Sequence, residues 1–204
     1  MSTLLKFKVL VAGNKKVGKT TLVKRYCTGT FVVDTMSTIG VDFMQKSVQI
    51  NDYEVGFSIW DFAGEKKFRQ LLPAYCNGAS GALVCFDLAN AESLEDLVPW
   101  VEVLDTYSPG ISKVLVGTKA DLVRERQVPR PVALDLMERY GMVNYFETSS
   151  KTGQNVEELF QALGTSIIEK SLQMCPYCEK MVPRELIFCQ YCGKKILNNN
   201  GNSS

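Results

Sequence analysis

The clearest chemistry in this chain lies in Gly13-Asn14-Lys15-Lys16-Val17-Gly18-Lys19-Thr20, which fits the pattern Gly, four residues, Gly-Lys-Ser/Thr. In such a loop the backbone N–H groups converge on an anion, and the following helix adds the positive end of its dipole. Lys19 adds a full charge and the Thr20 hydroxyl reaches Mg2+. On pattern alone the stretch is either a phosphate cradle or a chance match on a surface turn. Its flanks favour the cradle: Phe7-Lys8-Val9-Leu10-Val11-Ala12 is an apolar run of strand length, and Thr21 to Tyr26 reads as a helix. Gly13, Lys15, Lys16, Val17, Gly18, Lys19, Thr20 and Thr21 are therefore expected to hold a nucleoside triphosphate.

Three more polar stretches follow strands. Trp60-Asp61-Phe62-Ala63-Gly64 lets Asp61 hold Mg2+ through a water and Gly64 turn its N–H to a terminal phosphate. Gly117-Thr118-Lys119-Ala120-Asp121 offers a carboxylate that accepts two hydrogen bonds from guanine, while the Lys119 stem covers a purine face. Adenine lacks that donor pair and would leave Asp121 partly unpaired. Thr148-Ser149-Ser150-Lys151 can give a backbone N–H to guanine O6. Each stretch alone is an ordinary polar loop; three in this order, downstream of the phosphate loop, point to a guanine nucleotide and away from an ATP-using kinase.

The elements that must position these loops alternate regularly. Strands are predicted at 5–12, 42–50, 54–60, 81–87, 113–118 and 143–147, and helices at 19–27, 65–75, 91–106, 130–140 and 155–173. Asn51-Asp52 reads as a tight hairpin turn. Elsewhere the alternation predicts an α/β fold, a mostly parallel six-stranded sheet with helices on both faces and ligands at the strand carboxyl ends. The last helix should be capped by Asn155, with Val156, Leu159, Phe160, Leu163, Ile167 and Ile168 as its core stripe.

The chain has 204 residues and a net charge of +1, so no broad field draws it to nucleic acid. It contains no histidine, which excludes histidine bases, histidine metal ligands and serine–histidine triads. No apolar run approaches membrane-spanning length, and no secretory leader is expected. A soluble, cytoplasmic monomer is expected. Cys27, Cys76 and Cys85 sit among apolar residues, whereas Cys175, Cys178, Cys189 and Cys192 form two Cys-x-x-Cys hooks ten residues apart. In a reducing compartment this pattern predicts a four-thiolate structural Zn2+ ribbon rather than redox dithiols or an iron–sulfur cluster. Gly193 permits a tight turn after the second hook; Glu179 holds the equivalent place after the first.

With these loops in order, the chain resembles the Ras superfamily of small GTPases, and within it the Rab branch. The Rab character rests on Ser37-Thr38-Ile39-Gly40-Val41-Asp42-Phe43 and on Ile59-Trp60-Asp61 through Phe68. The resemblance implies a GTP/GDP switch acting through effectors, exchange factors and activating proteins. It implies that Thr38 closes on Mg2+ and the γ-phosphate, that Phe31 packs on guanine, and that Phe43, Trp60 and Tyr75 form an effector-facing aromatic triad. Glu65 stands where the family usually has a water-orienting glutamine, so Glu65, Thr38 and Lys19 are the residues expected to carry catalysis, with hydrolysis slow or modified. Lys15 and Lys16 replace small residues beside the γ-phosphate, Thr118 replaces an asparagine, and Thr35 replaces a tyrosine.

The resemblance covers residues 5 to about 170. The expected organisation is a switch domain at 1–170, a short linker at 171–174, the ribbon at 175–196 and a disordered tail at 197–204. The chain ends in Asn202-Ser203-Ser204 instead of the prenylated cysteines of Rabs, which predicts no such lipid anchor. Within the ribbon, Lys180, Arg184, Lys194 and Lys195 against Glu179 and Glu185 leave a net of +2, too little to argue for nucleic acid. A protein-binding ribbon is expected instead, able to bring the protein to a membrane periphery through a partner. The alternative function is a GTP-binding scaffold with little hydrolysis.

Overall fold

The computed structural model describes residues 4–32 and 38–196, without the side chains of residues 66–68. Thr35, Ser37 and the tail 197–204, which carry expectations above, lie outside these residues, as does the Phe68 side chain. Six strands are present in one sheet: β1 (Leu4–Ala12), β2 (Val41–Ile50), β3 (Tyr53–Phe62), β4 (Gly81–Asp87), β5 (Ser112–Thr118) and β6 (Asn144–Glu147). Their order is β2-β3-β1-β4-β5-β6. Only β2 runs antiparallel, joined to β3 by a two-residue turn whose Asn51 has φ 50°. Such positive φ suits asparagine better than most residues, which is why the short hairpin falls there. Every position of β4 and β5 is buried, so these strands read as continuous runs with helices over both faces.

Helices α1 (Lys19–Thr28) and α6 (Val156–Ser171) cover one face. There Tyr26 stacks on Phe160 with ring centroids 3.6 Å apart, beside Phe57 and Leu83. The other face is covered by α4 (Val98–Tyr107) and α5 (Arg130–Arg139), packed around Trp100, Phe86 and Leu115. This arrangement brings the carboxyl ends of β1, β3, β5 and β6 to one edge of the sheet, where the predicted loops emerge.

Three expectations change. The helix expected at 65–75 is a 3-10 stretch, Lys66–Leu71, followed by the short α2 (Leu72–Cys76). The helix expected at 91–106 is two pieces, α3 (Glu92–Glu95) and α4, because the Asp96 N–H closes the first on Glu92 O and Pro99 opens the second. Last, α6 ends at Ser171, and Leu172–Met174 is strand β7, paired antiparallel with β8 (Met181–Pro183). Of the stretch 171–174, expected as a short linker at the helix end, Ser171 closes the helix and Leu172–Met174 is a strand, with Leu172 buried in the main core. Among the described residues no helix is long and apolar enough to cross a membrane.

Candidate nucleotide site

Gly13 leaves β1 at φ 137°, and a Cβ there would lie 2.2 Å from Cys85 O. Only glycine allows the loop to press against β4 while turning this way. The loop then folds around Lys19, which is buried, with Nζ donating to Gly13 O at 2.8 Å and Asn14 O at 2.7 Å. Burial lowers the Lys19 pKa, partly offset by the negative charge of Asp61. An ammonium held this way is aimed by the loop's own carbonyls and is ready for an anion.

Thr20 lies in the first turn of α1, and its Oγ1 lies 2.7 Å from Thr38 Oγ1 and donates to Asp61 Oδ2. Asp61 is 2% exposed, and its Oδ1 has no hydrogen-bond partner among the described residues. Burial raises its pKa to about 6, against the Thr20 hydrogen bond and the Lys19 charge. An orphaned buried carboxylate oxygen beside two hydroxyls is a costly arrangement for a protein alone. It is the all-oxygen donor set that suits Mg2+.

The segment after β3 closes over the loop. Lys15 N–H donates to Gly64 O at 3.0 Å. A Cβ on Gly64 would stand 2.1 Å from Lys15 N, so the two backbones touch directly. At the far end, Thr118 Oγ1 reaches Phe86 O at 2.8 Å and also bonds Val17 O, tying the phosphate loop to the end of β5. Ser149, fully buried, donates from Oγ to Asp121 Oδ1 at 2.6 Å and orients that carboxylate. Lys119, at φ 60°, is held by Asp87 Oδ2 at 2.6 Å.

Between these ends runs a cavity of about 400 Å³. Its walls include Lys15, Lys16, Gly18, Lys19, Thr20, Thr21, Phe31, Thr38, Gly64, Glu65, Thr118, Lys119, Asp121, Ser150 and Lys151. All of these are residues that the sequence assigns to the site. Gly13, Val17, Asp61 and Ser149 stand behind the lining and act on it through the contacts above. Phe62 and Leu122 also line the cavity, and sequence reasoning missed them because apolar residues beside a loop read as core. Asn14 was missed too. Its Nδ2 donates to Asp96 Oδ2 at 2.6 Å and its Oδ1 accepts from Trp100 Nε1 at 3.0 Å. It occupies a variable place in the loop pattern, and both partners are more than 80 positions away.

The sequence profile of the Ras family matches residues 8–169. The chain belongs to the Ras family. It is 39% identical over 168 residues to the Ras-related protein Rab-30 of Homo sapiens, covering 82% of each chain. It is 36% identical over 165 residues to the Ras-related protein RABD2a of Arabidopsis thaliana (80% of this chain, 81% of the relative), and 34% over 166 residues to the Ras-related protein Rab-13 of Canis lupus familiaris (81% of each). As a Ras-family small GTPase the protein binds GTP and GDP with Mg2+, hydrolyses GTP and works as a switch.

Two features stand apart from the GTPase cavity. Phe43 and Trp60 pack with centroids 4.9 Å apart, and Trp60 and Tyr75 with 5.2 Å, so the three aromatics form a row. The second feature lies beyond the matched span. The sulfurs of Cys175, Cys178, Cys189 and Cys192 all lie within 4.8 Å of one another, with Cys175–Cys192 at 3.8 Å and Cys178–Cys189 at 3.6 Å. These separations are far beyond a disulfide of about 2.05 Å. They are close to the edge of a tetrahedron with metal–sulfur bonds of about 2.3 Å, which is about 3.8 Å.

The two hooks repeat one hydrogen-bonding plan. Cys175 N–H donates to Lys180 O and Glu179 N–H to Cys175 O; Cys189 N–H donates to Lys194 O and Gly193 N–H to Cys189 O. Glu179 has φ 58° where Gly193 has φ 70°, so the first hook carries a left-handed glutamate. Asn155, at the start of α6, differs from expectation: its side chain makes no cap and donates to Glu147 O at 2.7 Å.

Proposed function

We propose that GTP or GDP lies along the cavity with its phosphates on Gly13–Thr20 and its guanine at Asp121. The observation that carries this reading is the continuity of the walls, from Lys15 and Lys19 at one end to Lys119, Asp121 and Lys151 at the other. Lys19 neutralises the phosphates, and Thr20, Thr38 and Asp61 hold Mg2+. Bound there, Mg2+ supplies charge to the phosphate oxygens as negative charge develops on them. Asp121, oriented by Ser149, accepts from the guanine edge; the Lys119 stem and Phe31 cover the base, and Ser150 and Lys151 frame it. Glu65 takes the place that orients water for attack on the γ-phosphate.

A second reading rests on that same Glu65, together with Lys15. A carboxylate facing phosphates repels them, and a long cation sits where a partner's residue would enter; the protein is then a GTP-binding scaffold that barely hydrolyses. Single-turnover phosphate release from GTP-loaded protein separates the two. Release within minutes to an hour supports the switch, and none overnight supports the scaffold.

The row Phe43, Trp60 and Tyr75 is the effector surface in this proposal, serving membrane traffic or signalling. Exchange and activating proteins act on the loops around Thr38 and Glu65. The four cysteines hold one structural Zn2+ in a ribbon spanning about 175–196, attached to a switch domain spanning about 1–170. That ribbon binds a protein partner and brings a cytoplasmic switch to the periphery of a membrane. Unchanged distribution of a chain cut after Leu172 overturns the ribbon's targeting role.

A further inference from the structure

We propose that Asn14 is a positioning residue for the phosphate loop, and that Asp96 and Trp100 dictate an amide there. The inference builds on the nucleotide site described above. The Asn14 carbonyl is one of the two acceptors that hold the Lys19 ammonium, at 2.7 Å. The side chain of the same residue is gripped from both ends, by Asp96 Oδ2 at 2.6 Å from the break between α3 and α4 and by Trp100 Nε1 at 3.0 Å from the first turn of α4. The backbone that aims Lys19 is thus fastened to a fully buried indole.

The chemistry of the two partners leaves little choice of residue. An indole N–H only donates, so it requires an acceptor. An ionised carboxylate only accepts, so it requires a donor. One short side chain between them must supply both, and an asparagine amide does so in one orientation. A carboxylate at position 14 would satisfy Trp100 but set a second negative charge against Asp96, with no proton between them. An alanine would leave both partners unpaired. The amide therefore belongs to the pair and not to position 14 alone, so exchanging the two residue types should preserve the bridge: a carboxylate at 14 accepts from Trp100 and from an amide at 96.

Trp100 also carries the Arg69 guanidinium 5.2 Å from its ring centre. Arg69 belongs to the 3-10 stretch after β3, so the indole that fixes Asn14 also touches the segment leading away from Glu65. A loosened Asn14 would be felt first at the phosphates, since it is their lysine that loses an aimed acceptor.

The test is the dissociation rate of a fluorescent GDP analogue, in Mg2+, from the full chain and three variants. Asn14→Asp should release nucleotide at least about tenfold faster than the parent. Asp96→Asn, which leaves an acceptor facing Asn14 Nδ2, should stay within about threefold. The exchanged pair, Asn14→Asp with Asp96→Asn, should return to within about threefold of the parent, a recovery that general damage to the fold would not produce. The proposal is overturned if Asn14→Asp releases within twofold of the parent, or if the exchanged pair is as fast as Asn14→Asp alone. Should Asn14→Asp fail to fold, the exchanged pair is compared with Asp96→Ala: faster release from Asp96→Ala and parental release from the pair support the bridge, and equal rates overturn it.

Discussion

Replacing Asp61 by asparagine is expected to stabilise the protein stripped of metal and nucleotide, while abolishing its Mg2+-dependent grip on nucleotide. Burial lifts the Asp61 pKa from 3.8 to about 6. The folded state therefore holds this proton over a range where the unfolded chain has released it. Stability is highest below the unfolded value of 3.8, falls as pH rises, and levels off above about 6. At about 1.4 kcal/mol per pKa unit, the buried charge costs the stripped protein about 3 kcal/mol at neutral pH. Asparagine keeps an acceptor for the Thr20 hydroxyl and removes that charge. Urea unfolding of both proteins in EDTA, after enzymatic removal of nucleotide, measures the difference. The variant should be more stable by roughly 2–3 kcal/mol at pH 7.5, with the gap closing towards pH 4. With GDP and Mg2+ present the order reverses, and nucleotide release from the variant becomes insensitive to EDTA. A variant less stable than the parent at pH 7.5 without metal, or a gap independent of pH, would refute the argument.

Asp121→Asn should shift preference from guanine to xanthine nucleotides, because an amide suits the altered edge of xanthine; competition binding with GDP and XDP measures it, and unchanged GDP preference removes Asp121 from the base site. Metal analysis should find one zinc per chain, and none in a chain cut after Leu172. Glu179→Gly should tighten zinc binding. Relief of left-handed strain, less the extra freedom of an unfolded glycine, gives about 0.5–1 kcal/mol, or roughly two- to fivefold in a chelator competition. Equal affinities would mean that the glutamate carries no strain.

Much of this architecture was legible because its signals are local. The runs of β4 and β5 announce buried parallel strands, and the phosphate loop carries its own geometry. The errors arose where apolar spacing continued through a backbone break. Leu94, Leu97, Trp100, Val101 and Leu104 keep helical spacing and all are buried, yet Asp96 and Pro99 divide the helix beneath them. Leu172 likewise extends the stripe of Ile168 by four residues, but the antiparallel pairing of Leu172 with Pro183 takes it into a strand. The contacts of Asn14 and of Thr118, whose partner Val17 lies 101 positions away, depend on strand order and could not be read along the chain.

The direct passage from α6 into β7 has a mechanical consequence. Sixteen helical residues make a rod of about 24 Å. Leu172 seats its end in the main core, while Arg184 N–H fastens β8's following turn to Ser171 O at 2.9 Å. The cysteine module is thus mounted on the GTPase like the fixed jaw of a caliper. A tethered module sweeps through many separations and gives each partner a diluted second chance to bind. A mounted one offers a single separation between its own surface and the aromatic row; in the proposed reading, where both surfaces meet partners, a partner spanning the two is selected by its dimensions as well as by its chemistry.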